Sequence, residues 1–257
     1  MKTNTKIVFF PGPDKTATTW FYRQFSHHPD IHVLGGKEDL SYLKKIDKKI
    51  NKKIIAIFDH EAPFRGLLVE EKIKELSPVA FIILRDPIQR AISALKNDLR
   101  MGVISPSEIK TILKRKNKYL ERSNYDLYIN FAKKTCRNIK LFQIEDLQNK
   151  EDLFIKKICQ YLDIDSSYFE KNLIINNSRK PRNIYLNFLI KFFIKPVVYK
   201  LGFGKAWHYL YHSKVSFLFF TKNGNKTEYL IDYFRKDDLF NLSKNYQVIK
   251  QKYKNFM

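Results

Sequence analysis

Two short stretches carry residue types whose spacing could do chemistry. The first is "PGPDKTATT", Pro11 to Thr19, directly after the apolar run Ile7–Phe10. A glycine, a lysine and a row of threonine hydroxyls where a strand gives way to a helix suit an anion, because backbone N–H groups and the helix dipole attract negative charge there. The usual nucleoside-triphosphate loop is G-x-x-x-x-G-K-[ST]. Here Lys15 stands three residues after Gly12, and no Gly-Lys pair precedes the threonines. Gly12, Asp14, Lys15, Thr16, Ala17, Thr18 and Thr19 are read as one anion seat. Gly12 lets the backbone approach the ligand, and the threonines supply hydroxyls. An early lysine can place its ammonium on the oxygen bridging two anionic groups and stabilise a departing phosphate. The bland alternative for Lys15 is a solvated lysine at a helix start.

The second stretch is "RDPIQRAIS", Arg85 to Ser93. Arginine at the tip of a buried strand can clamp a phosphate bidentately, with Ser93 further along the helix that Asp86-Pro87 opens. Arg85 could instead simply pair with Asp86, and Asp86 reads better as a helix cap than as a reacting group. Two seats, each at a strand end, imply a ligand with two separated phosphate groups.

Those seats need a scaffold. Ile7–Phe10, Ile54–Phe58, Val79–Leu84 and Ile139–Ile144 are near-continuous apolar runs, the pattern of strands buried on both faces of a parallel sheet. Helical spacing follows the first run (Ala17, Trp20, Phe21, Phe25), the third (Ile88, Ala91, Ile92, Leu95, Leu99) and the fourth (Leu153, Ile155, Ile158, Leu162). Alternating strands and helices predict an α/β fold with a central parallel sheet, whose ligands sit outside the carboxyl ends of the strands. The expected organisation is a single domain over 1–257, with an α/β core over 1–165 and a basic, aromatic, helix-rich lobe over 166–257 packed on it. Pro196 should break or kink any helix there.

The 257 residues hold 48 Lys+Arg against 26 Asp+Glu, a formal charge of +22. That balance points to anionic partners: nucleotides, acidic glycans, an acidic membrane surface or nucleic acid. A chain rich in Lys, Asn and Ile also fits AT-rich coding, so part of the excess is compositional drift. Cys136 and Cys159 are the only cysteines, too few for a disulfide framework and expected as free thiols in a reducing compartment. The N-terminus lacks signal-peptide length, and no apolar run reaches membrane-spanning length. The expected location is cytoplasmic, with peripheral contact at the inner membrane face as an option. No H-x-x-x-H or C-x-x-C ligand set appears, so no metal is expected.

The pair "GPDKTATT" and "RDPIQRAIS" resembles the sulfotransferases that use 3′-phosphoadenosine 5′-phosphosulfate (PAPS). In that family a G-x-x-K-[ST]-[GA]-T-T loop holds the 5′-phosphosulfate, and R-D-P-x-x-R-x-x-S holds the 3′-phosphate through its Arg and Ser. Both match, with Ala17 in a place often held by glycine. The resemblance implies a three-layer P-loop-like fold, PAPS as co-substrate and adenosine 3′,5′-bisphosphate as product. It implies that Lys15 and Arg85–Ser93 grip opposite ends of the donor. "KEDLSYL", Lys37 to Leu43, is similar to a segment of glycan sulfotransferases in which the Glu is the base, which makes Glu38 the first candidate; His28 and then His60 follow. "NNSRKPRN", Asn176 to Asn183, is similar to a basic loop near the donor, bringing in Arg179, Lys180 and Arg182, which could equally be solvated charges. "LFQIEDL" resembles the family's strand ending in E-D-L, and "YFRKDDLFNLSK" its C-terminal helix. "DHEAPF", Asp59 to Phe64, resembles a segment with a Ser/Thr-Pro in relatives, where this chain has Ala62.

The expected reaction is sulfuryl transfer to a hydroxyl or amine, on a glycan or glycolipid acceptor. The span Lys171–Thr227 has no Asp or Glu but eleven Lys+Arg and twelve aromatic residues. It reads as an acceptor-binding lobe, or as a surface resting on an anionic membrane. Nucleic acid is not an expected partner, since no nucleic-acid motif is present. Two rivals stand beside this reading. One is a P-loop kinase transferring phosphoryl from ATP, which the missing Gly-Lys-Thr order disfavours. The other is a non-catalytic basic protein that binds anions or membranes.

Overall fold

The computed structural model describes residues 5–35, 51–101, 103–104, 108–114, 118–171, 180–181, 197, 200, 220–221 and 234–252. Strand β1 (Lys6–Phe10) leads through the Pro11–Ala17 loop into helix α1 (Thr18–His27), then β2 (Ile31–Gly35). After β3 (Ile54–Phe58) come a short 3-10 turn (Ala62–Phe64), α2 (Leu67–Leu76), β4 (Val79–Leu84) and α3 (Pro87–Met101). The short helices α4 (Ile109–Lys114) and α5 (Lys118–Glu121) precede α6 (Tyr125–Thr135) and β5 (Asn138–Gln143). Then follow α7 (Ile144–Asn149), α8 (Glu151–Leu162), the strands β6 (Lys180–Pro181) and β7 (Phe220–Thr221), and α9 (Lys236–Lys252).

The five strands of the main sheet are all parallel and lie in the order β2-β3-β1-β4-β5. The four apolar runs read as strands are all in it. The added strand is β2, at the edge. Its "IHVLG" includes His32 and buries only Ile31 and Leu34, so it lacks the continuous apolar pattern of its neighbours. The fourth run stops one residue short of the expected end, because Ile144 already opens α7.

Alternation along the strands sends side chains to two faces. Phe9, Ile55, Ile57 and Leu34 pack with Val69 and Ile73 of α2 and Phe131 of α6. On the same side Ala80, Ile82, Leu84 and Leu141 meet Tyr125, Tyr128, Ile129 and Ala132 of α6 and Tyr246 and Ile249 of α9. On the opposite face Phe10 stacks on Phe58 at 4.3 Å between ring centroids and meets Phe21 and Phe25 of α1 edge-on or tilted. Phe154 of α8 closes that side against Trp20, Phe21 and Phe142. The result is a three-layer α/β fold with helices on both faces of a parallel sheet. Each fully buried Phe or Ile contributes roughly 1.5–3 kcal/mol. In α8 the buried stripe is Phe154, Ile155, Ile158, Cys159 and Leu162; Leu153, expected on it, is 61% exposed.

The chain divides into two compact units, one of Met1–Arg90, Leu120–Leu173 and Phe240–Met257, the other of Ala91–Tyr119 and Ile174–Leu239. The first contains the sheet. In the second, Ala91, Ile92, Ala94, Leu95, Ile109 and Leu113 are buried, and the Asp98 carboxylate takes the Tyr119 hydroxyl (2.8 Å) and the Lys118 ammonium (3.0 Å). β6 and β7 pair antiparallel within it. Most of the expected 166–257 lobe, including Pro196, lies outside the described residues. Among the described residues no helix is long and apolar enough to cross a membrane.

Cys136 and Cys159 are free thiols. Burial pushes Cys136 up to about 11 and Cys159 up to about 12. Burial also raises Tyr125, Tyr128 and Tyr246. A folded-state pKa above the unfolded value holds more protons in the native state, so this stability is whole below the unfolded thiol value near 9 and is lost as pH rises toward 11 and 12. We expect the urea unfolding free energy to decline from pH 9 upward, more steeply than in a variant with both cysteines changed to alanine. Equal slopes would show that the thiols do not contribute.

Candidate functional site

The geometry of the rim follows from strand register. β1 and β3 end level, Phe10 opposite Phe58, but Phe9 pairs with Ala80, so β4 runs on past the end of β1 to Leu84. The loop after β1 therefore lies beside the last residues of β4: a Cβ on Gly12 would sit 3.7 Å from both Ile82 Cγ2 and Ile83 N. That is ordinary contact, so the fold tolerates a side chain at Gly12. The chain leaves β1 toward β3 and β2 on one side, and β4 leads to β5 on the other. The β1/β4 crevice is thus the topological switch point, where ligands bind in such sheets.

Residues 14–17 are pinned one by one. The Asp14 carboxylate meets Arg90 Nη1 at 2.6 Å. The Lys15 carbonyl accepts from Arg85 Nη1 at 2.9 Å. The Thr16 hydroxyl donates to the Pro13 carbonyl at 2.7 Å and is fully buried. The Ala17 carbonyl accepts from the Trp20 and Phe21 amides at 2.9 and 3.1 Å. Lys15 (φ 65°) and Ala17 (φ 61°) are both left-handed, flanking Thr16. Alternation of this kind turns successive N–H groups toward one point and makes an anion-binding concavity. Helix α1 starts at Thr18 with Ala17 as its N-cap, with no side-chain cap bond and no acid in its first turn. A helix start of this kind suits an anion.

Arg85 sits past the end of β4 with its backbone held by Tyr125: the Arg85 amide donates to the Tyr125 oxygen and the Tyr125 hydroxyl donates to the Arg85 carbonyl, each at 2.9 Å. Burial lowers the Arg85 pKa from its ordinary value, although the guanidinium stays charged at neutral pH. Asp86 caps α3, accepting the Gln89 amide at 2.8 Å. Ser93 lies further along α3 and is half-buried.

The first seat and Arg85 are therefore brought together. The other expected residues divide. His28 lies just past the C-terminal end of α1, the far end from the loop, and is buried; Nδ1 accepts the Asp30 amide (3.1 Å) and Nε2 faces the Asp165 carbonyl (3.0 Å). His60 follows β3, the strand beside β1, at the carboxyl rim, and its ring is half-exposed with Nε2 3.7 Å from Glu61. Ala62, where a hydroxyl was expected by likeness, is fully buried in the 3-10 turn. Lys180 is in β6. Glu38, Arg179 and Arg182 lie outside the described residues.

Two features went unassigned from sequence. Arg90, the second arginine of "RDPIQR", is fully buried, with Nε donating to Ser123 Oγ at 2.8 Å besides its bond to Asp14. Its signal was present: a charged residue on the apolar side of α3 needs a buried partner. Beside His60, Arg122 grips Glu61 with two prongs of 2.7 and 2.9 Å, while the buried Asp59 accepts the Glu61 amide at 3.0 Å and lies 3.4 Å from Arg65 Nε. Arg122 is 61 residues from Glu61, and nothing local announces that pair. Among the described residues no group of three or more His, Cys, Asp or Glu is placed to hold a metal ion.

The crystal structure of a sulfotransferase from Alicyclobacillus acidocaldarius superposes with a TM-score of 0.53 at 16% identity, covering 78% of this chain and 98% of that one. This is the sulfotransferase fold. A mouse sulfotransferase, SULT7A1 complexed with PAP, is similar at a TM-score of 0.48 and 13% identity, over 99% of this chain and 85% of that one. No protein-family model matches the sequence, and no curated protein matches it.

The left-handed Ala17 gives a direct test of the loop's strain. Left-handed backbone costs a residue with a Cβ about 1–2 kcal/mol, against a glycine entropy cost of roughly 0.5–1 kcal/mol. We expect Ala17→Gly to raise the urea unfolding free energy by roughly 0.5–1 kcal/mol. Destabilisation would mean that Ala17 is not held left-handed in solution.

Proposed function

We propose that this chain is a PAPS-dependent sulfotransferase, moving a sulfuryl group to an acceptor hydroxyl or amine. The observation that carries the reading is the 2.9 Å hydrogen bond from Arg85 to the Lys15 carbonyl, which unites a strand-end arginine with an anion loop across the β1/β4 crevice. A donor with separate phosphate groups on the 3′ and 5′ positions of its ribose matches two such seats. A nucleoside triphosphate, with its charge at one end, matches one.

In the proposed reaction the acceptor oxygen attacks sulfur in line. The S–O bond to the acceptor forms as the S–O bond to the 5′-phosphate breaks, and the electron pair stays on the departing phosphate. Lys15 and the α1 N-terminus neutralise the charge that grows there. Arg85, with Ser93, holds the 3′-phosphate and fixes the donor's register. A general base takes the acceptor proton. Glu38 is one candidate. His60 is the other, because its half-exposed ring lies at the carboxyl rim of the sheet, whereas His28 engages both ring nitrogens with backbone groups at the far end of α1. The preferred acceptor is a saccharide hydroxyl, on the likeness of Lys37-Glu38 to glycan-modifying enzymes.

Thermal stabilisation by adenosine 3′,5′-bisphosphate, compared with ATP-Mg and with adenosine 5′-monophosphate, tests the donor. We expect a selective shift with the bisphosphate, lost in Arg85→Ala; equal shifts from all three would overturn the reading. With labelled PAPS and a panel of glycans, Lys15→Ala should lower kcat by about 100- to 1,000-fold, the usual cost of removing one such electrostatic donor. Of Glu38→Ala and His60→Ala, the variant that removes the acidic limb of the pH–rate profile, where protonation of the base stops proton abstraction, identifies the base.

A further inference from the structure

A carboxylate is out of place in a loop that binds anions. Asp14 directly precedes Lys15, and its charge would repel a phosphosulfate group. Yet Asp14 Oδ1 is turned to Arg90 Nη1 at 2.6 Å, and Arg90 is fully buried and anchored a second time on Ser123 Oγ at 2.8 Å. Arg90 stands in the first turns of α3, where its amide donates to the Asp86 carbonyl at 2.9 Å. The same segment supplies Arg85, which holds the Lys15 carbonyl at 2.9 Å. The two loops are thus tied twice, once on either side of the Asp14–Lys15 peptide.

Between those ties Lys15 has φ 65°, a left-handed backbone that a residue with a Cβ keeps only where its surroundings over-determine it. We propose that Asp14 and Arg90 are a positioning pair: they hold the Lys15 backbone left-handed and so aim its ammonium at the oxygen that leaves, without contacting the donor themselves. The pair also cancels the Asp14 charge, so that the carboxylate does not oppose donor binding. The side chain that carries the tie matters more than its charge. Asparagine keeps an oxygen that can accept from Arg90, while alanine removes the tie.

This inference rests on the sulfotransferase reading for its kinetic consequence but not for its structural one. In steady-state assays with PAPS, Asp14→Ala should lower kcat by about 100-fold, the cost of misplacing a catalytic group by about 1 Å. Its affinity for adenosine 3′,5′-bisphosphate should stay within about threefold of the parent protein, because Arg85 and the α1 N-terminus still bind ground-state phosphate; a 1 Å displacement acts on the transition state. Asp14→Asn should recover most of kcat. A merely structural role would lower kcat and bisphosphate affinity together and would not be rescued by asparagine. That result would overturn the proposal, as would an Asp14→Ala protein with unchanged kcat. Crystal structures of the parent and of Asp14→Ala give a readout independent of activity. Lys15 should relax to negative φ in the variant. A left-handed Lys15 retained there refutes the positioning role even if the protein proves to act on another donor, while absence of any bisphosphate binding in the parent refutes the donor assignment alone.

Discussion

One hydrogen bond across the β1/β4 crevice, from the Arg85 guanidinium to the Lys15 carbonyl, fixes the relation between the two halves of the site. It exists because β4 outruns β1. With Phe9 opposite Ala80, the end of β4 rises beside the loop, and Arg85 emerges at its level. That register is set by apolar alternation on both sheet faces, where a one-residue slip would exchange Phe9 for Phe10 against entirely different helices. Core packing is thus the origin of the spacing between the two seats.

The charge of +22 is spent in two different ways. Away from the carboxyl rim of the sheet, several lysines serve the backbone. Lys6 Nζ reaches the Tyr161 carbonyl at 3.2 Å, and Lys53 reaches the Asp163 carbonyl, where α8 ends and its dipole is negative. Among the described residues at the carboxyl rim, four carboxylates are engaged. Asp14 is on Arg90, Glu61 on Arg122, Asp59 beside Arg65, and Asp86 on the first turn of α3. Those pairs engage arginine charge within the protein itself. Part of what reads from composition as a preference for anionic partners is therefore structural, and the part that bears on a ligand is local.

Legibility from sequence followed the reach of each signal. β3 and β4 are buried along their whole length and β1 over its last three residues, so their identity is written in consecutive residues; β5, an edge strand, still shows its buried Leu141 and Phe142 side by side. β2 is an edge strand with two buried side chains, and its five residues carry no comparable pattern. The helix α6 has a readable start, Asn124 capping the Asp126 amide at 3.1 Å, and a buried stripe of Tyr125, Tyr128, Ile129 and Ala132. In the site, Lys15 and Arg85 were marked by neighbours in the chain. Arg122 and Ser123 were not, because their partners Glu61 and Arg90 are 61 and 33 residues distant.

By itself the sequence determined that a turn carrying glycine, lysine and threonines follows the first buried strand, that an arginine ends another, and that the layers between must be alternating sheet and helix. Hydrophobic periodicity and turn chemistry are local properties, and nearby residues suffice to state them. Only the tertiary structure decided that the two strands are neighbours with unequal ends, that Lys15 and Ala17 are held left-handed, and that Asp14 faces a buried arginine rather than a ligand. Strand order, register and the pairing of distant charges arise from the simultaneous packing of the whole core, which no single segment encodes.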